Sequence, residues 1–329
     1  MKMAAKKMKN DVDNPVLIIH SLSSNQPHII MFNDLIGQDH IKNSLSFYVD
    51  GAKRGGAVPP LLFTGARGLG KTEFARKMAK ALKKPLLELN CSTIKNNTQF
   101  FEQIFVPVVM NNEVTILFDE CHALPRELQN AFLTVFNVEK SSRKQFEWQG
   151  STMEFDFTKQ TYLFATTEPD KIFTPLKDRF EEIDFRPYTD NELGKILQKR
   201  ADWVALDGSL VPVIAETLRG NARSAVKRAK QIEMFCENKN ISKFGANEWK
   251  QMCGVLGIKP NGLTNAEMQV LQILKERGAC TLAMLSAATG LSRTALQKDI
   301  EMHLLRKGYM KIEGSRMITG LGQAALSRI

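Results

Sequence analysis

Between Phe32 and about Thr189, short apolar runs alternate with stretches whose apolar residues recur at helical spacing, the pattern of a parallel sheet flanked by helices. Pro59 to Thr64 reads as a short apolar strand, followed by a Gly-rich turn and a helix from Lys71 to Leu82. Val114 to Phe118 reads as a second buried strand and Thr161 to Ala165 as a third. Before the third strand, large apolar and polar residues alternate on both sides of Gly150-Ser151, which predicts an inserted two-stranded hairpin at about 143–158. Residues 190–257 change to a helical period, with Leu193, Ile196 and Leu197 and then Val211, Ile214, Ala215 and Leu218 on apolar faces. Gly257 to Gly262, containing Pro260, reads as a linker. Beyond it Thr264-Asn265-Ala266-Glu267 forms a capping box before an amphipathic helix, Thr281 caps a second helix, and Ser292 caps a third that runs to about Leu305. Two short strands around Glu313-Gly314-Ser315 complete a winged helix.

The expected organisation is a basic extension over 1–30, a nucleotide-binding domain over 31–189, a helical lid over 190–257 and a winged-helix domain over 262–329. A chain of 329 residues with 43% hydrophobic and 24% charged residues suits such a set of globular domains. The formal net charge of +10 favours an anionic partner, although solubility alone tolerates it. Five cysteines, Cys91, Cys121, Cys236, Cys253 and Cys280, show no metal-ligand spacing and suit free thiols in a reducing cytoplasm. The run Val16 to Ile19 after the N-terminal lysines is too short for a signal segment or a membrane span. The extension can touch DNA or stay solvated.

Gly65-Ala66-Arg67-Gly68-Leu69-Gly70-Lys71-Thr72 fits the phosphate-loop spacing, between a strand and a helix. Its glycines let the backbone N–H groups and the helix start face phosphates, Lys71 supplies a point charge, and Thr72 offers a hydroxyl to Mg²⁺. The strand Ile116-Leu117-Phe118 delivers Asp119 and Glu120 at its C-terminal end, where open α/β sheets hold ligands. Asp119 suits water-mediated Mg²⁺ binding and Glu120 the polarising of an attacking water. ATP and Mg²⁺ are therefore the expected cofactors, and the fold class is an α/β P-loop AAA+ domain followed by a helical lid and a winged helix. The D-E-x-H tetrapeptide ending in His122 also fits a helicase superfamily with two nucleotide folds, but this chain has room for one; His122 is expected to support or pack.

Phe32-Asn33-Asp34-Leu35-Ile36-Gly37-Gln38, the phosphate loop, Asp119-Glu120-Cys121-His122-Ala123-Leu124-Pro125, Ala165-Thr166-Thr167 and Pro175-Leu176-Lys177-Asp178-Arg179-Phe180 occur in the order and spacing of the RuvB family. The chain resembles that family, the ATPase motors of Holliday-junction branch migration, from about Phe32 to the C-terminus. The resemblance implies that Leu35 and Ile36 line the adenine pocket, that Thr166 or Thr167 senses the γ-phosphate, and that Arg179 is an arginine finger reaching a neighbouring subunit. It also implies a γ-phosphate contact from Arg223 in Gly220-Asn221-Ala222-Arg223. The residues themselves leave Arg179 open to a salt bridge with Asp178 or Glu182, and Arg223 open to solvation at a helix start. Ala66-Arg67 departs from the two prolines usual in the family, which implies a less rigid loop with the essential chemistry intact.

Further implications are a homo-hexameric ring, a winged helix that tracks duplex DNA or a four-way junction through Arg316 on the wing, and a RuvA-like junction-binding partner for the hairpin residues Phe146, Trp148, Met153 and Phe155. An inward-packed hairpin is equally compatible. Arg293, Gln297 and Lys298 on the third helix are DNA candidates or ordinary solvated residues. A rival class is a clamp or helicase loader switched by ATP without processive translocation; against it, the arginine lies in Lys177-Asp178-Arg179-Phe180 and the C-terminus reads as a winged helix, not a helical collar.

Overall fold

A computed structural model describes residues 18–20, 32–110, 112–136, 143–148, 151–156 and 159–327, with the backbone alone at 18–20 and in the hairpin. The chain divides into two compact units, 1–187 and 188–329. Most of the basic extension, the hairpin turn at Gly150 and Phe157 lie outside the described residues.

The first unit is built on strands β1 (Ile18–His20), β2 (Leu61–Thr64), β3 (Leu86–Asn90), β4 (Thr115–Asp119), β7 (Thr161–Ala165) and β8 (Glu181–Asp184), with β5 (Arg143–Trp148) and β6 (Ser151–Asp156) as the inserted hairpin. The sheet order is β1-β3-β4-β7-β2-β8, with β1 antiparallel at one edge and the rest parallel. Strands β2 and β7 are buried along their whole length because a parallel sheet covered on both faces has no solvent side, which is why they read as continuous apolar runs. Helices α1 (Asp39–Lys53) and α2 (Lys71–Ala81) follow the Leu35-Ile36 segment and the Gly-rich turn. A phenylalanine cluster fixes the C-terminal ends of β4 and β7: Phe118 stacks on Phe164 at 4.7 Å between ring centroids, and Phe164 on Phe180 at 4.5 Å. In the hairpin, register pairs Phe146 with Met153, Lys144 with Phe155 and Trp148 with Ser151.

In the second unit, Thr189 and Glu192 make a capping box at the start of helix Asp190–Arg200, and helices Leu210–Glu216, Ala222–Lys239 and Ala246–Leu256 pack around Leu197, Ile214, Ile232 and Phe244. The predicted caps Thr264, Thr281 and Ser292 each accept from a backbone N–H at the start of their helices. The third helix spans 293–306 and winds as a π-helix over Leu296–Glu301. Strands Met310–Glu313 and Ser315–Ile318 form the wing, and a helix Gly320–Ser327, absent from the sequence reading, follows.

The segment that reads as a linker is packed. Gly262 has φ +68° and runs so close to Thr217 that a Cβ there would sit 2.7 Å from the Thr217 carbonyl oxygen, so a glycine is required. Arg219 donates to both oxygens of the Glu267 carboxylate at 2.5 and 3.3 Å, and Glu267 is fully buried. Lys307 reaches Asp190 at 3.2 Å. The helical and winged parts thus share a charged seam.

His303 lies buried beside this seam, and its Nε2 has no partner among the described residues. Burial, followed by the positive charges of Arg219, Lys307 and Arg306, pushes its imidazole down from 6.5 to about 3. The unfolded chain therefore binds more protons than the folded one between these values, so stability falls as pH drops from 6.5 toward 3 and is unaffected by this group above 6.5. His303→Leu is expected to shallow the fall in melting temperature between neutral pH and pH 4.5, measured by thermal unfolding of the full chain. An unchanged pH slope would contradict the burial of a neutral imidazole.

Candidate nucleotide site

Strand β2 ends at Thr64, and the chain then curls through Gly65 (φ 128°), Gly68 (φ 79°) and Gly70 (φ 99°) into α2. These angles are open to glycine and strained for other residues. At Gly65 the approach is also steric, since a Cβ would stand 2.6 Å from the carbonyl oxygen of Phe185. Lys71 opens the helix, is buried, and its Nζ donates to the carbonyls of Gly65 and Ala66 at 2.6 and 3.0 Å. These two carbonyls tie the start of the loop to the ammonium at its end.

Parallel register brings the second half of the site alongside. Asp119 pairs with Ala165, and the Thr166 amide donates to the Phe63 carbonyl at 3.0 Å, so the ends of β4, β7 and β2 lie together. Burial raises the Asp119 carboxyl above the usual carboxylate range, opposed by the hydrogen bond from the Glu120 amide and by the charge of Lys71. Glu120 adopts a left-handed conformation (φ 53°, ψ 46°), an uncommon one for a non-glycine residue, which turns its side chain off the strand line. Its carboxylate is ringed by Thr167 Oγ1 at 3.3 Å, Arg67 Nε at 3.4 Å and His122 Nδ1 at 3.5 Å.

Of these neighbours, Arg67 was given no part by the sequence, and His122 only a supporting or packing one. Arg67 replaces a family proline, and its side chain stays 75% exposed. An exposed pair at that separation contributes under about 1 kcal/mol. His122 is tied to Thr166 Oγ1 at 2.9 Å and to Glu168 Oε2 at 3.1 Å. The D-E-x-H spacing was its signal, but its partners lie 44 residues or more along the chain.

The two threonines left open by the sequence are distinguished by their partners. Thr166 is buried, and its hydroxyl is engaged by His122 and by the Glu168 amide at 2.9 Å. Thr167 faces the Glu120 carboxylate. Leu35 and Ile36 are half-buried just before α1, in a segment anchored by Phe32 against Phe74, by the Asp34–Lys77 pair and by Gln38 Nε2 on the Arg186 carbonyl at 2.6 Å.

Arg179 follows the short helix Thr174–Lys177, and its guanidinium donates to the Pro175 carbonyl. Glu182 is taken by Lys177 at 3.1 Å, and among the described residues Arg179 has no acidic partner. Buried Phe180, stacked on Phe164, sets where the arginine leaves the sheet. Arg223 is exposed in the first turn of the helix capped by Asn221, in the second unit.

In the winged helix Arg293, Gln297 and Lys298 are exposed. Arg316, expected to reach DNA from the wing, is engaged within the domain. Its guanidinium makes a forked pair with Glu301 at 2.8 and 3.3 Å, with only 14% and 5% of the two side chains exposed. The backbone of Arg316 also bridges to Cys280 in both directions. The physical reason is the buried carboxylate of Glu301, which demands a cation more strongly than solvent can hold one at the wing.

Two family comparisons agree with this architecture. Residues 61–188 match the AAA family, ATPases associated with various cellular activities, and residues 260–327 match the RuvB C-terminal winged helix domain. Among curated relatives, the Holliday junction branch migration complex subunit RuvB of Campylobacter hominis is 28% identical over 304 residues, covering 85% of this chain and 84% of the relative. The protein of the same description from Mycoplasma genitalium is 26% identical, covering 90% and 96%. The solved Thermotoga maritima RuvB Holliday junction branch migration motor superposes with a TM-score of 0.71 at 22% identity, covering 92% of this chain and 99% of that one, a likeness of fold. Fold and site define an AAA ATPase that carries a winged helix. Within that class, the chain belongs to the RuvB family.

Because Arg316 satisfies a buried carboxylate, Arg316→Ala is expected to destabilise the winged helix by about 3 kcal/mol, the usual effect of leaving one ion of a buried pair alone. The double variant Arg316→Met with Glu301→Leu is expected to recover most of that loss. Chemical denaturation of the three proteins checks this, and an Arg316→Ala protein of wild-type stability would contradict it.

Proposed function

We propose that this chain is an ATP-driven DNA motor of Holliday-junction branch migration, working as a ring on duplex DNA. The observation that carries the proposal is the meeting of the phosphate loop, Asp119-Glu120 and Thr167 at the ends of three parallel strands, in a chain that also bears a RuvB-type winged helix. The relatives named for that process match along most of their own length, which favours the motor over an ATP-switched loader.

The amides of Gly65, Gly68, Leu69 and Gly70 with the start of α2 hold the phosphates, and Lys71 supplies the charge that faces them. Leu35 and Ile36 lie against the adenine. Thr72 is half-buried with a hydroxyl that has no partner among the described residues, and Asp119 is a half-buried carboxylate raised by desolvation. Both features suit a Mg²⁺ ion, which when bound neutralises phosphate charge. Glu120 polarises the attacking water and Thr167 aligns that carboxylate. Arg179, without an acidic partner among the described residues, acts on the nucleotide of a neighbouring subunit, while Arg223 acts within its own chain.

A hexamer follows the family, because an arginine acting in trans requires a neighbour. Arg293, Gln297 and Lys298 meet the DNA backbone, and the hairpin with Phe146, Trp148, Met153 and Phe155 docks a RuvA-like junction-binding protein. No helix among the described residues is long and apolar enough to cross a membrane, which accords with work on DNA in the cytoplasm.

Glu120→Gln is expected to keep ATP binding and lose at least about a hundredfold in turnover, as removal of a positioned base does. The same variant should fail to move a four-way junction supplied with a junction-binding partner. Wild-type-like turnover would overturn the assignment, and a wild-type protein that hydrolyses ATP but binds and moves no junction would favour the loader.

For the ring, Arg179→Ala is expected to lose about 10³-fold in hydrolysis with nucleotide affinity retained. Mixing it with Lys71→Ala chains creates composite sites with one intact loop and one intact arginine, so activity should partly return. No recovery at any mixing ratio would argue against action in trans.

A further inference from the structure

Between the carboxylate of Glu120 and the turn after β7 lies a closed set of polar contacts centred on His122. The imidazole is 15% exposed, and two of its neighbours, Thr166 and Glu168, come from the turn that starts at Thr166. Nε2 stands 3.1 Å from Glu168 Oε2, which can only accept, so Nε2 carries the proton. Glu168 is itself held by Lys171 at 2.9 Å. The Glu168 amide donates to Thr166 Oγ1 at 2.9 Å, leaving the Thr166 hydroxyl hydrogen free to point at His122 Nδ1, 2.9 Å away. Nε2 thus donates to Glu168, and Nδ1 shares a hydrogen bond with the Thr166 hydroxyl. The 3.5 Å gap from Nδ1 to Glu120 is beyond a hydrogen bond, so the imidazole does not hold the carboxylate directly.

We propose that His122 is a positioning residue that locks Thr166 and Glu168 so that the adjacent Thr167 presents its hydroxyl to Glu120. This rests on the reading of Glu120 as the residue that polarises water. The geometry supports a chain of cause in one direction: imidazole to Thr166 hydroxyl, Thr166 backbone to Thr167, and Thr167 hydroxyl to the carboxylate at 3.3 Å. Thr166 is also held by its own amide on Phe63, and the imidazole adds the hold on Glu168, so Thr167 sits between two anchored residues. A change at His122 therefore misaligns a carboxylate while the Lys71 contacts that hold the phosphate loop stay in place. Small misplacements of a catalytic group are reported in kcat before binding.

The two ring contacts are separable by substitution. Asparagine carries a polar atom near the Nδ1 position and reaches Thr166 only, whereas glutamine reaches toward Glu168 only. His122→Ala is expected to lower kcat by about ten- to hundredfold while KM for ATP changes less than about twofold. His122→Asn should restore most of kcat and His122→Gln little of it. Melting temperatures and binding of a slowly hydrolysed ATP analogue, measured on the full chain, separate this from loss of folding. An Ala variant with wild-type kcat, or equal kcat for the Asn and Gln variants, would overturn the proposal. Glu120→Gln run alongside keeps the two levels apart: if it turns over ATP normally, the reading beneath fails. If it is inactive while all three His122 variants match wild type, only the role of His122 fails.

Discussion

A carboxylate at the end of an apolar strand is the constraint around which the first unit is arranged. Asp119 leaves β4, whose other residues are buried, and loses hydration that nothing on the strand itself returns. The Glu120 amide and Lys71 offset part of that loss, and the raised Asp119 carboxyl shows that they do not offset all of it. Lys71 has its place only because three left-handed glycine conformations turn the chain from β2 into α2 within one loop. A site left short of positive charge is suited to a ligand that brings more. The stacked Phe118, Phe164 and Phe180 make the strand ends stiff enough to hold that deficit in one place.

The second unit solves a related problem with paired ions in place of a ligand. Glu267 accepts from the amide of the cap Thr264 and also pairs with Arg219, so one buried carboxylate secures the start of a helix and joins it to the preceding helical part. Glu301 does the same between the third helix and the wing through Arg316. Such pairs add little net stability compared with apolar packing, because desolvation opposes their attraction. Their effect is on geometry, since a pair satisfied at one separation disfavours others. His303, neutral among Arg219, Lys307 and Arg306, shows the opposite response to the same surroundings, giving up its charge.

Local pattern in the sequence carried what is local in the structure. The phosphate loop, the strand delivering Asp119, the caps Thr264, Thr281 and Ser292 and the two wing strands each depend on residues within a few positions of one another. What escaped depends on residues brought together by the fold. Arg316 was expected at DNA because the family resemblance implies a wing contact, whereas its partner in the structure lies 15 residues away on a helix. Glu301 gave no warning, since at helical period it falls off the face made by Leu296, Ile300 and Leu304. The π-winding over Leu296–Glu301 widens the turn and carries that position inward. The different partners of Thr166 and Thr167 likewise depend on the fold, since His122 and Glu120 lie 44 residues or more before them.

The departure at Ala66-Arg67 illustrates how two small effects can cancel. Where a loop's angles suit proline, losing one lowers stability by about 0.4–1 kcal/mol, through greater freedom of the unfolded chain. The exposed contact of Arg67 with Glu120 returns an amount of the same size, under about 1 kcal/mol. Neither magnitude approaches the several kcal/mol that a catalytic donor supplies. The loop therefore keeps its form through Gly65, Gly68, Gly70 and the Lys71 contacts, and the two intervening positions are left free to vary. Arg67 is then best understood as a weak tether on the resting carboxylate, while the tighter contacts of Thr166, His122 and Glu168 set where that carboxylate stands.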